Sequence, residues 1–349
     1  SISQGEPSIM MQLDQISASC YQHIVAVEAL ENGQAAVWSR EGAVVTRQEI
    51  PYRPFLLLAA PELLNGGNIE AAITALSGAA PLAYRVDFPD RHQYYRALDH
   101  LKKVTGRTPS APGAPYLVIS DEDQQLFTAS QFRLFRGMDF NDLRRMQFDI
   151  ETLNTEGYEF PNPDRDGDQI IIISMSDSTG WEKVISQQDL SEKELLEEFI
   201  RTVADRDPDV LEGHNICRFD LPYIEARAKR YKVKLAIGRD GAVPKCRPSR
   251  FNAAERTINY NRYDIFGRHV VDTFHLTVFY DISHRNLENY GLKYVARHFK
   301  VAAPDRTYID GDKISAAWRN ERERLLAYAL DDVRETRSIS AILSPSYFY

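Results

Sequence analysis

Disulfide and zinc chemistry have little to draw on in this sequence. It holds three cysteines, Cys20, Cys217 and Cys246, widely spaced and with no CxxC pair. The odd count and the spacing argue against a cysteine-based zinc site and point to a reducing, cytoplasmic setting. The eight histidines show no HExxH spacing. Long apolar runs are also missing. FLLLAAPELL at 55–64 and IIII at 170–173 are the most apolar stretches, far short of the roughly 20 residues a membrane-spanning helix needs. The opening SISQGEPSIMMQLDQ has no basic start leading into an apolar core, so no signal peptide is read there. Positive charge is outnumbered, 42 Lys and Arg against 50 Asp and Glu, for a formal net charge of −8, which taken alone argues against a nucleic-acid partner.

What positive charge there is, is concentrated. From Arg227 to Arg256, RAKRYKVKLAIGRDGAVPKCRPSRFNAAER carries ten Lys and Arg against Asp240 and Glu255. Such a run is either a solvated helix face followed by a loop or a track for a phosphate backbone, and by itself it does not decide between them.

The chain reads as two parts. Residues 1–141 look α+β: HIVAVEAL (23–30), QAAVWSR (34–40), GAVVTRQEI (42–50) and PFLLLA (54–59) alternate as strands, and 90–103 reads as a helix capped by Asp90. A second part, 142–349, begins with the strand RMQFDIETL. DQIIIISMSD (168–177), EKVISQ (182–187), DVLEGHN (209–215) and HVVDTFHL (269–276) read as further strands. A helix over 191–204 opens with the capping box Ser191 and Glu194, another starts near Leu221, and one long helix covers roughly 315–342. Strands alternating with helices predict an α/β unit, a mixed sheet flanked by helices.

Three small constellations carry chemistry. In MQFDIETL (146–153), residues at i and i+2 share a face, so Phe148 and Ile150 point one way and Asp149 and Glu151 the other, with Cα atoms roughly 7 Å apart. Carboxylates held this way repel unless a cation joins them or one takes a proton, and a hard divalent ion suits oxygen ligands; at a solvated strand edge the same pair does nothing. In GHNICRFD (213–220), Asp220 is either a helix cap ahead of Pro222 or a further carboxylate ligand. Tyr328 and Asp332 share a helix face, as an exposed pair on a helix edge or as a hydroxyl that orients water beside a carboxylate.

Taken in order, Asp149-x-Glu151, Asn215-x3-Phe219-Asp220 and Tyr328-x3-Asp332 resemble the three exonuclease motifs of the DEDD superfamily, tyrosine type. More narrowly, the chain is similar to the N-terminal and 3′–5′ exonuclease domains of family B DNA polymerases. Besides the motifs, DPDVLEGHNICRFDLPYIEARA, IGRDGAVPKCRPSRFN, GRHVVDTFHL, NYGLKYVARHF and YALDDVRETRSI carry the likeness, which covers about 140–349 well and the first 140 residues more loosely.

The resemblance implies an RNase H-like exonuclease domain (142–349) preceded by an α+β N-terminal domain (1–141), with the last ten or so residues packing back on that domain. It implies two Mg²⁺ or Mn²⁺ ions held by Asp149, Glu151, Asp220 and Asp332, a water oriented by Tyr328, and hydrolysis of DNA from the 3′ end as the proofreading part of a polymerase. It also implies that Thr152 and Leu153 meet the 3′-terminal nucleotide, that Asn215 and Phe219 line a single-strand channel, and that Arg247 and Arg250 lie on a β-hairpin near the primer–template junction. Asp272 is expected to be secondary or structural and Asp331 solvated. His214 replaces a tyrosine common in relatives and is expected to matter little. Single-stranded 3′ ends, primer–template DNA and a polymerase domain of a longer chain are the implied partners, with no membrane. No palm motif such as DxxSLYPS or YGDTD occurs, so no polymerase active site is read here; the aromatic-rich end favours a fragment of a longer polymerase over a stand-alone nuclease. The competing class is a non-catalytic DNA-binding or scaffold module derived from a polymerase.

Overall fold

A computed structural model describes residues 22–348 other than 79, 131 and 255. Cys20 and the N-terminal SISQGEPSIMMQLDQ lie outside the described residues. The chain divides into two compact units between Met138 and Asp139, three residues ahead of the boundary expected at 141/142.

In the first unit, β1 (Ile24–Ala29), β2 (Gln34–Glu41) and β3 (Val44–Pro51) form an antiparallel meander. A second sheet has the order β5-β6-β4-β7, built from β4 (Phe55–Leu58), β5 (Ala72–Ala75), β6 (Tyr84–Asp87) and β7 (Tyr116–Leu117). Helix α1 (Arg91–Thr105) starts where Asp90 accepts the Gln93 amide at 2.8 Å and packs Tyr94, Ala97 and Leu101 on that sheet. Helix α2 (Glu122–Ser130) supplies Gln125, whose side chain accepts from the Tyr52 hydroxyl (3.1 Å) and the Phe55 amide (3.0 Å) and donates to the Ile119 carbonyl (2.6 Å). A buried amide with its bonds made fixes one arrangement of the elements around it.

The second unit is a five-stranded mixed sheet of order β10-β9-β8-β11-β14, from β8 (Arg145–Thr152), β9 (Ile170–Asp177), β10 (Glu182–Ser186), β11 (Val210–Gly213) and β14 (His269–Asp272). The β9–β8 and β10–β9 pairs are antiparallel, and the β11 pairs are parallel. This is the arrangement of an RNase H-like fold. Helices α3 (Glu192–Arg206) and α4 (Asp220–Arg230) bury Leu195, Leu196, Phe199, Leu221 and Ile224 against Phe148 and Ile150. Between β14 and the C-terminus come α5 (Thr273–His284), α6 (Leu292–His298), α7 (Ile314–Asn320) and α8 (Arg322–Leu343), with α8 on the opposite face of the sheet. Phe148 and Ile150 set the register. Each fully buried side chain of this size contributes about 1.5–3 kcal/mol, and a slip by one residue would turn Asp149 and Glu151 into the α3/α4 core. Strands β12 (Lys245–Ala253) and β13 (Arg256–Asp264) form a separate antiparallel hairpin.

Two expectations are corrected. HVVDTFHL is not one strand: β14 stops at Asp272, whose carboxylate accepts the Phe274 amide at 3.0 Å and starts α5. The stretch 315–342 is not one helix but parts of two, because Glu321 leaves helical backbone (φ −137°, ψ 45°); Ile314 and Ala317 of α7 and Leu325 and Ala329 of α8 then pack into one cluster. Helix α6 had no counterpart in the sequence reading. The C-terminal Phe348 meets Phe140 of the same unit edge-on at 5.7 Å between ring centres. Among the described residues no helix is long and apolar enough to cross a membrane.

Part of the basic stretch is spent inside the unit. Arg227 is fully buried and grips Glu192 through two bonds (2.7 and 2.5 Å) while donating to the Pro163 and Arg165 carbonyls (3.0 and 2.9 Å). Glu192 also accepts the Ile170 amide at 2.8 Å, so the pair pins the loop between β8 and β9. Removing one partner of a buried pair strands the other charge. Arg227→Met is therefore expected to lower stability by about 3–5 kcal/mol, and Glu192→Leu with Arg227→Met by less than the sum of the single changes, read from urea unfolding midpoints.

Candidate metal centre

The centre forms where β8 and β11 part. Pairing between them ends at Gln147–Glu212, and beyond it the Ile150 amide has no strand partner on that side. Asp220, the first residue of α4, fills the gap by accepting that amide at 3.1 Å. The helix N-cap is Phe219, with no side-chain capping bond, so Asp220 does not serve as the cap. The turn that delivers Asp220 is tightly built. A Cβ on Gly213 would lie 1.9 Å from Ile216 Cγ2 and 3.1 Å from the Phe148 carbonyl oxygen, so only glycine fits. Asn215 takes a left-handed backbone (φ 68°), which asparagine tolerates. Asp272 accepts the Asn215 and Cys217 amides at 2.7 and 3.1 Å, which matches the structural role expected of it.

One carboxylate oxygen each from Asp149, Glu151 and Asp332 lie within 4.8 Å of one another. Asp149 and Glu151 occupy the face of β8 turned to α8, as the two-residue period requires, and α8 supplies Asp332. Asp220 stands outside that trio but acts on it: after burial, its charge is the largest influence raising the Asp149 pKa. Burial and mutual repulsion push Asp149 and Glu151 well above the usual carboxylate range, and burial raises Asp220 to about 7. Asp332 is also raised by burial, against the opposing pull of Arg306 and Lys293. So many buried carboxylates ionise together only beside compensating positive charge. A divalent cation would supply that charge, and the all-oxygen donor set suits Mg²⁺ or Mn²⁺.

Two cations of the chain flank the carboxylates, and the sequence reading named neither. Arg306, almost fully buried, donates to Asp332 and, through Nε, to Glu335 at 2.8 Å. Asp331 lies 3.7 Å from the same guanidinium and 3.4 Å from that of Arg334, so it is ion-paired and not simply solvated. Lys293, on the first turn of α6, donates to the Tyr328 hydroxyl and lies 4.3 Å from the centre of its ring. Burial, and after it the charge of Asp332, Glu151 and Asp149, holds the Tyr328 hydroxyl protonated far above the usual tyrosine range. A lone lysine or arginine outside a motif leaves no periodic trace in a sequence, which is why these two went unseen. Asp149 and Asp332 open onto a cavity of about 430 Å³, also lined by His214, Asn289, Lys293 and Arg297.

The remaining expected contacts fall as follows. Thr152 is buried at the end of β8, and Leu153 is half-buried against the cluster that contains Tyr328. Asn215 is half-buried, and its side-chain oxygen has no hydrogen-bond partner among the described residues. The Phe219 ring leans on Tyr223 at 5.3 Å and on the main core, leaving it half-buried. Arg247 and Arg250 are exposed on β12; Arg247 stands opposite Arg262, and Asp264 bridges both guanidinium groups at 3.1 and 2.9 Å.

The family described as DNA polymerase family B, exonuclease domain, matches residues 123–295. The DNA polymerase of Pyrococcus glycovorans is 30% identical over 217 residues, 58% of this chain and 25% of that protein. The DNA polymerase of Archaeoglobus fulgidus is 30% identical over 212 residues, 60% of this chain and 24% of that protein. The chain thus spans about a quarter of these curated relatives. The family B DNA polymerase structure from Pyrobaculum calidifontis aligns with a TM-score of 0.65 at 20% identity, over 92% of this chain and 45% of that one; it speaks to the fold. Residues 123–295 form an exonuclease domain of DNA polymerase family B, and the chain as a whole has the fold of the corresponding part of such a polymerase.

Proposed function

We propose that the chain is a metal-dependent 3′–5′ exonuclease acting on DNA ends, the proofreading portion of a family B polymerase. The observation that carries this reading is the convergence of Asp149, Glu151 and Asp332 within 4.8 Å, with Asp220 and Tyr328 beside them at the open end of a mixed sheet. Asp149, Glu151, Asp220 and Asp332 would hold two divalent ions, and Asp149, which keeps partial exposure to the cavity, is placed to serve both. Bound there, such ions supply Lewis-acid stabilisation of the charge on the attacking and leaving oxygens of a phosphodiester.

The chain's own groups do the rest. Tyr328 stays un-ionised; its oxygen accepts from Lys293, and its proton, within reach of Asp332, can orient a water beside that carboxylate for in-line attack. Lys293 and Arg297 on the cavity wall face the incoming phosphates with positive charge. Thr152, Leu153, Asn215 and Phe219 bound the path by which an unpaired 3′ end reaches the carboxylates. The unpartnered Asn215 oxygen leaves an acceptor for a nucleotide donor. The hairpin, with Arg247 and Arg250 exposed, holds or divides the strands of a primer–template.

Excision of a 5′-labelled single-stranded oligonucleotide tests the reading. Mononucleotide laddering is expected with Mg²⁺ or Mn²⁺ and none with EDTA, and Asp149→Ala should lose more than the roughly 10–100-fold typical of groups that merely support metal ligands. Laddering that survives both EDTA and the substitution would exclude this centre.

The carboxylates also set a pH dependence. Their folded-state pKa values lie above the unfolded value of about 4, so the folded chain binds more protons. For Asp220 the resulting contribution to stability is full below about pH 4 and is lost as pH rises through about 7, where it titrates. In EDTA, the Tm advantage of Asp220→Asn over the natural sequence should grow across that window. At neutral pH, Mn²⁺ at about 100 times its Kd should return about 2.7 kcal/mol to the natural sequence and much less to the variant.

For the hairpin, Arg247→Ala or Arg250→Ala should lower the salt slope of duplex-end binding by about one while leaving excision of single strands nearly unchanged. Equal loss on both substrates would remove the strand-dividing role.

A further inference from the structure

We infer that His214 is a positioning residue, a latch that ties the turn after β11 to the segment carrying Lys293 and so fixes Lys293 on Tyr328; this rests on the exonuclease reading above. Histidine at this place was expected to matter little. The structure gives both ring nitrogens a partner. Nε2 lies 2.7 Å from the Tyr290 carbonyl oxygen and Nδ1 lies 2.8 Å from the Thr273 hydroxyl. A carbonyl only accepts, so Nε2 carries the proton. Burial holds the ring pKa down at about 4, so the ring is neutral and Nδ1 accepts from Thr273. A single tautomer thus joins three elements: the turn leading to Asp220, the start of α5, and the segment between α5 and α6.

Tyr290 is held at both ends. Its carbonyl is on His214, and its hydroxyl donates to Asp281 at 2.7 Å. Asp281 also accepts the Asn286 and Leu287 amides at 2.9 and 3.0 Å, closing the loop ahead of α6. Gly291 follows Tyr290 as the N-cap of α6, and Lys293 is in its first turn, where it meets the Tyr328 hydroxyl and the Ile309 carbonyl. The place of Lys293 over the carboxylates is therefore transmitted through Tyr290 from His214, which lines the same cavity. A tyrosine in this place would carry one hydroxyl and would not offer two opposed nitrogen contacts. A small misplacement of a positioning group lowers the rate of the chemical step more than the binding of substrate.

The test compares the whole chain with His214→Phe and His214→Gln, by steady-state excision of single-stranded DNA in Mn²⁺ and by amide hydrogen exchange. His214→Phe should lower kcat by about tenfold or more with KM within about twofold, and should speed exchange across residues 287–293 by about tenfold. His214→Gln, whose amide still donates to the Tyr290 carbonyl, should recover most of both. Unchanged kcat and exchange in His214→Phe, or a glutamine variant as impaired as the phenylalanine one, would overturn the latch. If His214→Phe does not fold, Thr273→Val, which removes the Nδ1 bond together with the 3.2 Å hydroxyl contact to the Gly213 carbonyl, and His214→Gln decide on the same readouts. A natural sequence without Mn²⁺-dependent excision would sink the exonuclease reading, while the exchange comparison still decides the latch.

Discussion

Crowding of like charge is the constraint on which the second unit is organised. Asp149, Glu151, Asp220 and Asp332 come from one strand and two helices and are brought together where little water reaches them. Left alone they would spread apart or take up protons. They do not spread, because each backbone is fixed by something unrelated to the site. Phe148 and Ile150 lock β8 into the α3/α4 core, and Leu325, Ala329 and Val333 lock α8 to the sheet. Apolar packing thus holds an electrostatic arrangement that opposes it, and a divalent cation bound there would relieve the opposition.

The surrounding cations are graded by reach. Arg306 is shared between Asp332 and Glu335 and is too deeply buried to meet a substrate; it balances the α8 side of the centre. Lys293 approaches from the cavity wall, where a phosphate can also arrive. This division leaves the carboxylates only partly neutralised by the chain's own cations. It also shows why net charge is a poor guide to partners here. The acidic excess of the sequence includes the cage, whereas Arg227 and Arg239 are committed to buried ion pairs and the exposed positive charge of that stretch collects on the β12–β13 hairpin.

The turn between β11 and α4 joins these features. Gly213 permits the close approach to β8, Asn215 reverses the backbone, Asp272 gathers the amides, and His214 reaches across to the segment that bears Lys293. One short stretch therefore places a carboxylate on one side of the centre and a cation on the other.

By itself the sequence determined what local rules govern. The two-residue alternation put Asp149 and Glu151 on one face, the Asp90 and Ser191 caps marked helix starts, and the spacing of Tyr328 and Asp332 set them on one helix side; all of these depend on near neighbours along the chain. Where local rules were ambiguous the reading erred: HVVDTFHL suits strand and helix alike until Asp272 caps α5, and the break at Glu321 follows from how α7 and α8 pack. Only the tertiary structure decided that Asp220 takes the Ile150 amide and caps nothing, that Arg306 and Lys293 flank the carboxylates, and that both nitrogens of His214 are used. The physical reason is separation. Each of these contacts joins residues dozens of positions apart, and a single ionic or hydrogen-bonded pair repeats with no period that a linear pattern can reveal.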